Sequence, residues 1–463
     1  MLTYDLERRG QLARYDYLYR CIKGDIFSGT LAAGEKLPSK RALARHLQVS
    51  VATVESAYNQ LAAEGYIVPQ EKRGYFVAAV ETAPRSQPPL GTRETEGGAE
   101  GAWLLDLKGG SGGAEDFPFS AWARLMRRVL TERGRDLLRA VPHSGVPQLR
   151  QAISRHLYQF RGISARPEQI VVGAGTEYLY NLIVQLLGRQ KRYGLEDPGY
   201  DKAARIYALN GAPCRALPLD SQGVPVQALE EGEIQVLHIS PNHQFPTGAV
   251  TPIARRQAYL RWAEKGEGRY MIEDDYDSEF RFTGRPIPAL RSIDRTGRVL
   301  YVNTFSRTLA PSLRISYLVL PDGLLEAYQK KLGFYSSTVP ALEQYTLAAF
   351  LEEGHFETHV NRMRVVYRAR RDQVIRAVQA SALAGRCQVL GAEAGLHFLL
   401  RLDTERGDGE LAALAREQGI RLSFLSDYQR QSGEERSHTL VVSYPGVDPE
   451  RLGSALDLLA ELL

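Results

Sequence analysis

A change of composition between residues 80 and 101 constrains the fold of this chain most. The stretch VETAPRSQPPLGTRETEGGAEG is rich in proline, glycine, glutamate and threonine and carries hardly any large apolar residue. Such a segment cannot bury enough apolar surface to offset the entropy lost on ordering, so the composition predicts a flexible linker. We therefore expect two bodies, a small domain over residues 1–79 and a large one over residues 102–463.

Bulk properties narrow the class of protein. A chain of 463 residues exceeds one ordinary core, in agreement with more than one domain. The net charge of +4 neither demands nor excludes nucleic acid. The three cysteines lie far apart with no metal-ligand spacing, so no metal site is predicted. No secretory signal and no apolar run of membrane length is present, and we predict a cytoplasmic protein.

The N-terminal domain has the pattern of a helix-turn-helix followed by a hairpin. Ser39 stands before one helical segment and Ser50 before the next, and both positions favour a helix N-cap. A short QVS break separates the two segments, which is helix-turn-helix spacing. The following YIVPQEKRGYFVA reads as two short strands around a turn at residues 71–74, and the second helix carries a buried stripe of Val54, Ala57, Tyr58 and Leu61.

This region closely resembles the GntR-type winged helix, through LPSKRALARHLQVSVATVESAYNQLAAEGYI and KRGYFV. The resemblance implies DNA binding by the start of each helix of the motif and by the wing tip. Lysine and arginine at those places suit phosphate contacts. Carried over to this sequence, the DNA-binding residues are Ser39, Lys40, Arg41, Ser50, Ala52, Thr53, Tyr58, Lys72, Arg73 and Gly74.

Two departures from that family pattern bear on base specificity. Val51 stands where an arginine often follows the serine of the turn, and residues 72–75 replace the usual Gly-Ser-Gly-Thr wing. Loss of a guanine-reading arginine relaxes or changes base preference, whereas the wing charges hold phosphate affinity. The alternative is a helical dimerisation or protein-docking module.

The large domain alternates short apolar runs with helical stretches. Runs at residues 169–175, 233–240, 270–280, 298–305 and 315–321 have strand length, and helical segments separate them. This alternation predicts βαβ units and a mostly parallel sheet. Polar residues gather at the carboxyl ends of the runs, which is where open α/β sheets bind ligands.

Several strand ends carry side chains suited to a phosphorylated ring. The Gly173–Thr176 loop leads into a helix, and such a loop exposes backbone N–H groups to a phosphate. Asp274 and Tyr276 fall on one face of a strand, where an acid and a phenol could serve a ring nitrogen and its hydroxyl. Tyr200 follows a Pro-Gly turn, where its ring could stack on a planar ligand or simply pack in the core.

Together, in this order, the motifs resemble fold-type I pyridoxal-phosphate enzymes. They include PEQIVVGAGT, EDPGY, SPNHQFPTG, IEDDYDSEFRF and TFSRTLAPSLRISYLVLP. With the winged helix they resemble the MocR subgroup of GntR regulators, which implies an α/β aminotransferase-like domain that dimerises. The implied cofactor-binding residues are Ala174, Gly175, Thr176, Tyr200, Asp274, Tyr276, Thr304, Ser306, Arg307 and Arg314.

Arg307 occupies the place at which the family pattern has the lysine that bonds the cofactor aldehyde. A guanidinium stays protonated and cannot attack a carbonyl, so no catalytic residue is assigned and transamination by the usual route is not expected. Two roles for Arg307 remain open: an ion pair with Asp274, or a hydrogen bond to the phosphate or carboxylate of a noncovalent ligand.

The resulting prediction is a DNA-binding transcriptional regulator that forms a homodimer. Its aminotransferase-like domain is expected to sense pyridoxal phosphate, a related vitamin B6 compound or an amino acid noncovalently. One alternative is a pyridoxal-phosphate-dependent transaminase or lyase that uses a surrogate lysine such as Lys202. The other is a DNA-binding dimer whose large domain binds no ligand.

Overall fold

A computed structural model describes residues 2–79, 103–109, 116–282, 287–430 and 437–463. The chain divides into an N-terminal unit, Met1–Ala99, and a C-terminal unit, Glu100–Leu463. The predicted linker at residues 80–101 lies outside the described residues, so the predicted domain boundaries stay predictions.

The N-terminal unit consists of three helices and a β-hairpin. Its elements are α1 (Arg14–Ser28), α2 (Lys40–His46), α3 (Val51–Ala63), β1 (Ile67–Gln70) and β2 (Gly74–Val77). The two strands pair antiparallel, with Ile67 opposite Val77 and Gln70 opposite Gly74. The predicted helix-turn-helix and wing are therefore both present.

Capping and apolar burial explain these helices. The Ser39 hydroxyl accepts a hydrogen bond from the Ala42 amide at 3.2 Å, and the Ser50 hydroxyl accepts one from the Thr53 amide at 3.1 Å. Each cap satisfies one of the backbone N–H groups that a helix leaves unpaired at its start. The helices pack around one apolar core, whose fully buried members include Leu18, Ile22, Leu43, Val54, Ala57, Tyr58 and Leu61.

The described part of the C-terminal unit contains a seven-stranded sheet, a three-stranded sheet and a two-stranded sheet. Its strands are β3 (Leu105–Asp106), β4 (Ile170–Gly173), β5 (Tyr193–Asp197), β6 (Cys214–Pro218), β7 (Val236–Ile239), β8 (Tyr270–Asp275), β9 (Val299–Thr304), β10 (Ser316–Val319), β11 (Cys387–Leu390), β12 (His397–Leu402), β13 (Ile420–Arg421) and β14 (Thr439–Ser443). The large sheet has the order β4-β10-β9-β8-β7-β5-β6, and only β10 runs antiparallel to its neighbours.

Helices connect and cover these strands. They are α4 (Phe119–Arg133), α5 (Pro147–Arg161), α6 (Thr176–Leu187), α7 (Asp201–Leu209), α8 (Val226–Glu231), α9 (Ile253–Lys265), α10 (Leu290–Ile293), α11 (Asp322–Leu332), α12 (Ala341–Glu352), α13 (His355–Ala380), α14 (Asp408–Glu417) and α15 (Pro449–Glu461).

Successive side chains of the buried strands point to opposite faces of the large sheet, and helices cover both faces. The sheet and its two helical covers form three layers. In β4, Val172 packs in a core that contains side chains of α5 and α12, whereas Val171 packs in a core that contains side chains of α6 and α11. A strand covered on both faces needs apolar residues at nearly every position, which is why these runs read as continuously apolar. The predicted α/β fold is confirmed, and β5 and β6 add two strands that were not among the predicted runs.

The small sheet pairs β11, β12 and β14 antiparallel, and β13 pairs with β3. Side chains of α13, α14 and α15 share its apolar core. In the large sheet, β5, β7, β8 and β9 are parallel, so their carboxyl ends meet at one edge. That edge carries the polar residues on which the site predictions rest.

Candidate functional site

A cavity of about 310 Å³ opens at this edge of the large sheet. Its volume lies at the lower end of the range for small-molecule pockets. Polar side chains and four aromatic rings dominate its wall. The lining residues are Thr176, Glu177, Tyr180, Tyr200, Lys202, Ser240, Phe245, Asp274, Tyr276, Thr304, Ser306, Arg307, Pro311 and Arg314.

Most of the predicted cofactor residues meet in this cavity. Eight of them line it: Thr176, Tyr200, Asp274, Tyr276, Thr304, Ser306, Arg307 and Arg314. Ala174 and Gly175 do not. The Ala174 amide donates to the Thr338 hydroxyl at 2.9 Å, so a predicted phosphate donor already has a partner. A Cβ at Gly175 would lie 2.4 Å from an Arg314 Nη atom, so Gly175 permits the close approach of that guanidinium.

Asp274, the penultimate residue of β8, has one carboxylate oxygen that is held by neighbours and one that is not. Oδ2 accepts a hydrogen bond from the Tyr180 hydroxyl, and His238 Nε2 lies 3.4 Å from the same oxygen. Oδ1 is buried and has no hydrogen-bond partner among the described residues. A buried carboxylate oxygen without a partner is costly, so this atom is suited to receive a donor from a ligand in the cavity.

Tyr276 follows β8 and is held by a histidine that sequence reasoning missed. Its hydroxyl lies 3.1 Å from His243 Nδ1, and Asp277 Oδ2 lies 2.9 Å from the same nitrogen. Atoms of His243, Asp277 and His397 approach one another within 4.8 Å. Burial lowers the pKa of His397 to about 3, which keeps that ring neutral. These residues come from distant segments, so no spacing in the sequence could have grouped them.

A second unpartnered group lies where β9 ends. The Thr304 hydroxyl oxygen accepts hydrogen bonds from the Ser316 hydroxyl at 2.7 Å and from the Ser306 amide at 3.1 Å. The Ser306 hydroxyl itself is buried and has no partner among the described residues. Thr304 is therefore committed to the protein, whereas Ser306 is available to a ligand.

Glu177, which the predictions did not include, joins two cations at the cavity. Its carboxylate contacts Arg314 at 3.0 Å and Lys202 at 3.2 Å. The Lys202 side chain is 64% exposed, and its Nζ is engaged as an ammonium in this ion pair. A surrogate nucleophile needs a free amine instead, so this contact gives no support to catalysis by Lys202.

Arg307 is the remaining cation of the cavity wall, and its side chain is exposed. Within the ranges that the structure describes, it forms no hydrogen bond and no ion pair, so the predicted pairing with Asp274 is not formed. Burial raises the pKa of Tyr200 and of Tyr276, and the positive charge of Arg307 opposes part of each rise. The guanidinium therefore acts electrostatically on both phenols.

Two aromatic residues form an apolar part of the wall. The Tyr200 ring is 37% exposed and meets the Phe245 ring edge-on, with centroids 6.4 Å apart. An accessible ring beside hydrogen-bonding groups suits a planar ligand that carries polar substituents.

In the N-terminal unit, most of the predicted DNA-binding residues are accessible. Ser39, Arg41, Ser50, Ala52, Lys72, Arg73 and Gly74 are exposed, and Lys40 and Thr53 are half-buried. Tyr58 differs: its side chain is fully buried and its hydroxyl donates to the Pro38 carbonyl at 3.0 Å. Tyr58 thus belongs to the core stripe, and the predicted DNA contact for it is wrong because no part of its side chain reaches the surface.

The basic residues of this surface differ in how firmly they are held. Lys40 Nζ contacts Glu55 at 2.7 Å and lies 5.3 Å from the centroid of the Tyr75 ring. The Arg73 guanidinium lies 5.6 Å from the centroid of the Phe76 ring. Lys72, at the turn, has a φ of 57°. Lys40 and Arg73 are thereby oriented, whereas Lys72 projects from a tight turn.

Comparison with known proteins identifies relatives along nearly the whole chain. Residues 14–77 match the family described as "Bacterial regulatory proteins, gntR family". The chain is 38% identical to the uncharacterized HTH-type transcriptional regulator YdeL of Bacillus subtilis (strain 168), over 91% of each chain. It is 31% identical to the probable rhizopine catabolism regulatory protein MocR of Rhizobium meliloti, over 98% of this chain and 94% of that one.

The C-terminal unit has the fold of solved aminotransferases. The crystal structure of an archaeal alanine:glyoxylate aminotransferase matches with a TM-score of 0.70 at 22% identity, and the match covers 78% of this chain and 91% of that one. At this identity the likeness shows the fold alone. No described helix combines the length and the apolar composition needed to cross a bilayer.

Proposed function

The chain belongs to the MocR-type transcriptional regulators of the GntR family, and on that premise we propose that its C-terminal unit binds a vitamin B6 phosphate noncovalently. Binding of this effector would control the contact that the N-terminal unit makes with promoter DNA. A ligand that prefers one of two arrangements of the protein shifts the population toward it, which is the physical basis of such control.

One observation supports this ligand class above all. Two buried polar atoms of the cavity, Asp274 Oδ1 and Ser306 Oγ, have no hydrogen-bond partner among the residues that the structure describes. A carboxylate suits a protonated pyridine nitrogen, and a hydroxyl suits a phosphate oxygen. A pyridine ring that carries a phosphate would satisfy both, with Tyr200 and Phe245 against its faces or edges.

The phosphate would lie near the start of α6. Thr176 opens that helix, whose first N–H groups and dipole favour an anion, and Arg314 adds a guanidinium. Glu177 holds Arg314 in the free protein, so the phosphate would take over a contact that a carboxylate already makes. The Ala174 amide would join only if Thr338 released it.

Noncovalent binding follows from the chemistry of residue 307. In enzymes of this fold the cofactor supplies an electron sink, and a lysine amine bonds it and moves protons. We propose that Arg307 takes the position of that lysine. Its guanidinium cannot become a neutral amine, so recognition would be kept without turnover. We further propose a cytoplasmic homodimer, because a two-fold protein suits paired half-sites on DNA.

The test is calorimetric titration of pyridoxal phosphate into the wild type and two serine variants. Ser306→Ala should lower the affinity at least about tenfold, because it removes a ligand hydrogen bond, and should cost little stability. Ser316→Ala is the matched control: its hydroxyl is buried but already donates to Thr304, so it should lower stability and leave the ligand contacts intact.

Borohydride treatment of the complex should leave no mass added to the protein, because no covalent bond joins the ligand to it. Absence of binding by the wild type would overturn the proposal. Equal affinities of the wild type and Ser306→Ala would contradict the placement of the phosphate.

A further inference from the structure

We propose that Arg307 forms a carboxylate subsite, so that the effector is a vitamin B6 phosphate that also bears a carboxylate, as in a phosphopyridoxyl amino acid. This inference rests on the proposed function and names the ligand class within it. It assigns to Arg307 the recognition of a second anionic group, apart from the phosphate.

The cations of the cavity wall differ in whether they have an anionic partner. Three cations line the cavity: Lys202, Arg307 and Arg314. Lys202 and Arg314 share the carboxylate of Glu177, at 3.2 Å and 3.0 Å. Arg307 alone among these three has no anionic partner in the described part of the chain. A ligand with one phosphate near Arg314 would leave Arg307 unpaired, whereas a second anion would pair it.

Arg307 also has different neighbours from Arg314. It follows β9, which lies beside β8, with Asn303 opposite Asp275. Its charge acts on Tyr276, just beyond β8, whereas Tyr200, just beyond β5, is acted on by both Arg307 and Arg314. Arg314 instead packs against Gly175 at the start of α6. The two guanidiniums therefore have different neighbours on the wall, and a ligand whose phosphate lies at α6 beside Arg314 needs a second anionic group to pair Arg307.

The chemistry of the guanidinium explains why a ligand with a carboxylate should bind more tightly than the same ligand without it. Its planar fork matches a carboxylate through two parallel hydrogen bonds, and it repels an ammonium. A pyridoxamine-type ligand without a carboxylate would bring an uncompensated ammonium close to Arg307. The same ligand with a carboxylate on the amine-bearing carbon would bring a compensating anion.

A matched ligand pair isolates the carboxylate. The probes are N-(5'-phosphopyridoxyl)-L-leucine and N-(5'-phosphopyridoxyl)-3-methylbutylamine, which differ only by that group. Calorimetry should show the leucine compound binding the wild type at least about tenfold more tightly, the size of one charge-assisted contact. Arg307→Gln should bring the ratio of affinities close to one, and Arg307→Lys should restore part of it, because a single ammonium keeps the charge without the fork.

Lys202→Gln is the control variant, because it removes another cation of the same wall and should leave the ratio unchanged. Equal binding of the two probes to the wild type would overturn the subsite while leaving the proposed function in place. Loss of the ratio in Lys202→Gln instead of Arg307→Gln would also overturn it. Failure of both probes to bind the wild type would overturn the proposed function and the subsite together.

Discussion

At the scale of single residues, the site depends on side chains that are held before any ligand arrives. Glu177 fixes Arg314 and Lys202, and Tyr180 and His238 fix one oxygen of Asp274. Asp274 Oδ1 has no hydrogen-bond partner among the described residues, and side chains that are already held lower the ordering cost of binding. Glycine at position 175 belongs to this arrangement, because its missing Cβ leaves the space that Arg314 uses.

Gly175→Ala should therefore weaken the binding of pyridoxal phosphate about tenfold or more. Gly175 has a φ of 89°, which an alanine adopts only at a cost on the order of 1–3 kcal/mol, and the added Cβ would displace the Arg314 guanidinium. Calorimetry and urea unfolding of the same variant would separate the loss of affinity from the loss of stability.

Gly188→Ala serves as the control at the other end of α6. Gly188 has a φ of 108° but nothing within 4 Å of an added Cβ, so the variant carries the backbone cost without the contact. It should lose stability and keep its affinity. Equal losses of affinity in the two variants would show that strain in α6, and not the Arg314 contact, governs binding.

At the scale of elements, the parallel strands of the large sheet bring acidic residues to one edge. Glu196 in β5 accepts a hydrogen bond from the Ser240 amide at 3.1 Å. Burial raises the pKa of Glu196 to about 8; the negative charge of Asp274 adds to the rise and the positive charge of Arg430 opposes it. Burial of Glu273, together with the negative charge of Asp275, likewise raises the pKa of Glu273.

Glu196→Gln should flatten part of the pH dependence of stability. Between its ordinary pKa of 4.5 and about 8, Glu196 keeps its proton in the folded chain and loses it in the unfolded chain. Rising pH through this window therefore lowers the free energy of unfolding, by up to about 1.4 kcal/mol per pH unit for one group. Glutamine cannot titrate, so the free energy of unfolding of the variant should rise relative to that of the wild type as the pH rises.

Urea unfolding across that window measures the difference. Glu264→Gln is the control, because Glu264 is exposed on α9 and its replacement should leave the wild-type profile unchanged. Parallel pH profiles of the wild type and Glu196→Gln would contradict a proton held by Glu196 in the folded chain.

At the scale of the whole molecule, a small net charge of +4 conceals a basic surface on the N-terminal unit. The exposed cations Arg41, Lys72 and Arg73 lie at the start of α2 and in the β1–β2 turn. DNA affinity depends on such local clusters rather than on the total charge, because each phosphate contact releases a bound counterion.

Lys72→Asn should weaken binding to a random-sequence duplex and make it less sensitive to salt. Asparagine tolerates the φ of 57° at this turn, so the change removes the charge with little backbone strain. The slope of log affinity against log salt should fall by about 0.9 for each wing that reaches a phosphate. Arg20→Gln, on α1 and outside the predicted DNA contacts, should not change the slope. An unchanged slope in Lys72→Asn would exclude the wing tip from phosphate contact.

Local patterns were sufficient to predict several features. The capping serines, the buried strand runs and the polar residues that follow them are set by neighbouring residues, and Asp274, Tyr276, Ser306 and Arg314 duly line one cavity. The helical period placed Tyr58 in the core stripe, whereas the family resemblance placed it among the DNA contacts. The helical period favoured the core, and the core is where the structure buries it.

The sequence by itself determined the two folds, the family and the absence of a lysine at position 307, because these depend on periodicity, caps and motif order along the chain. Only the tertiary structure decided the pairings: Glu177 with Lys202 and Arg314, His243 with Tyr276, and Arg307 with no described partner. These contacts join segments distant along the chain, and the directions of the side chains, set by packing, decide which atoms meet and which stay free for a ligand.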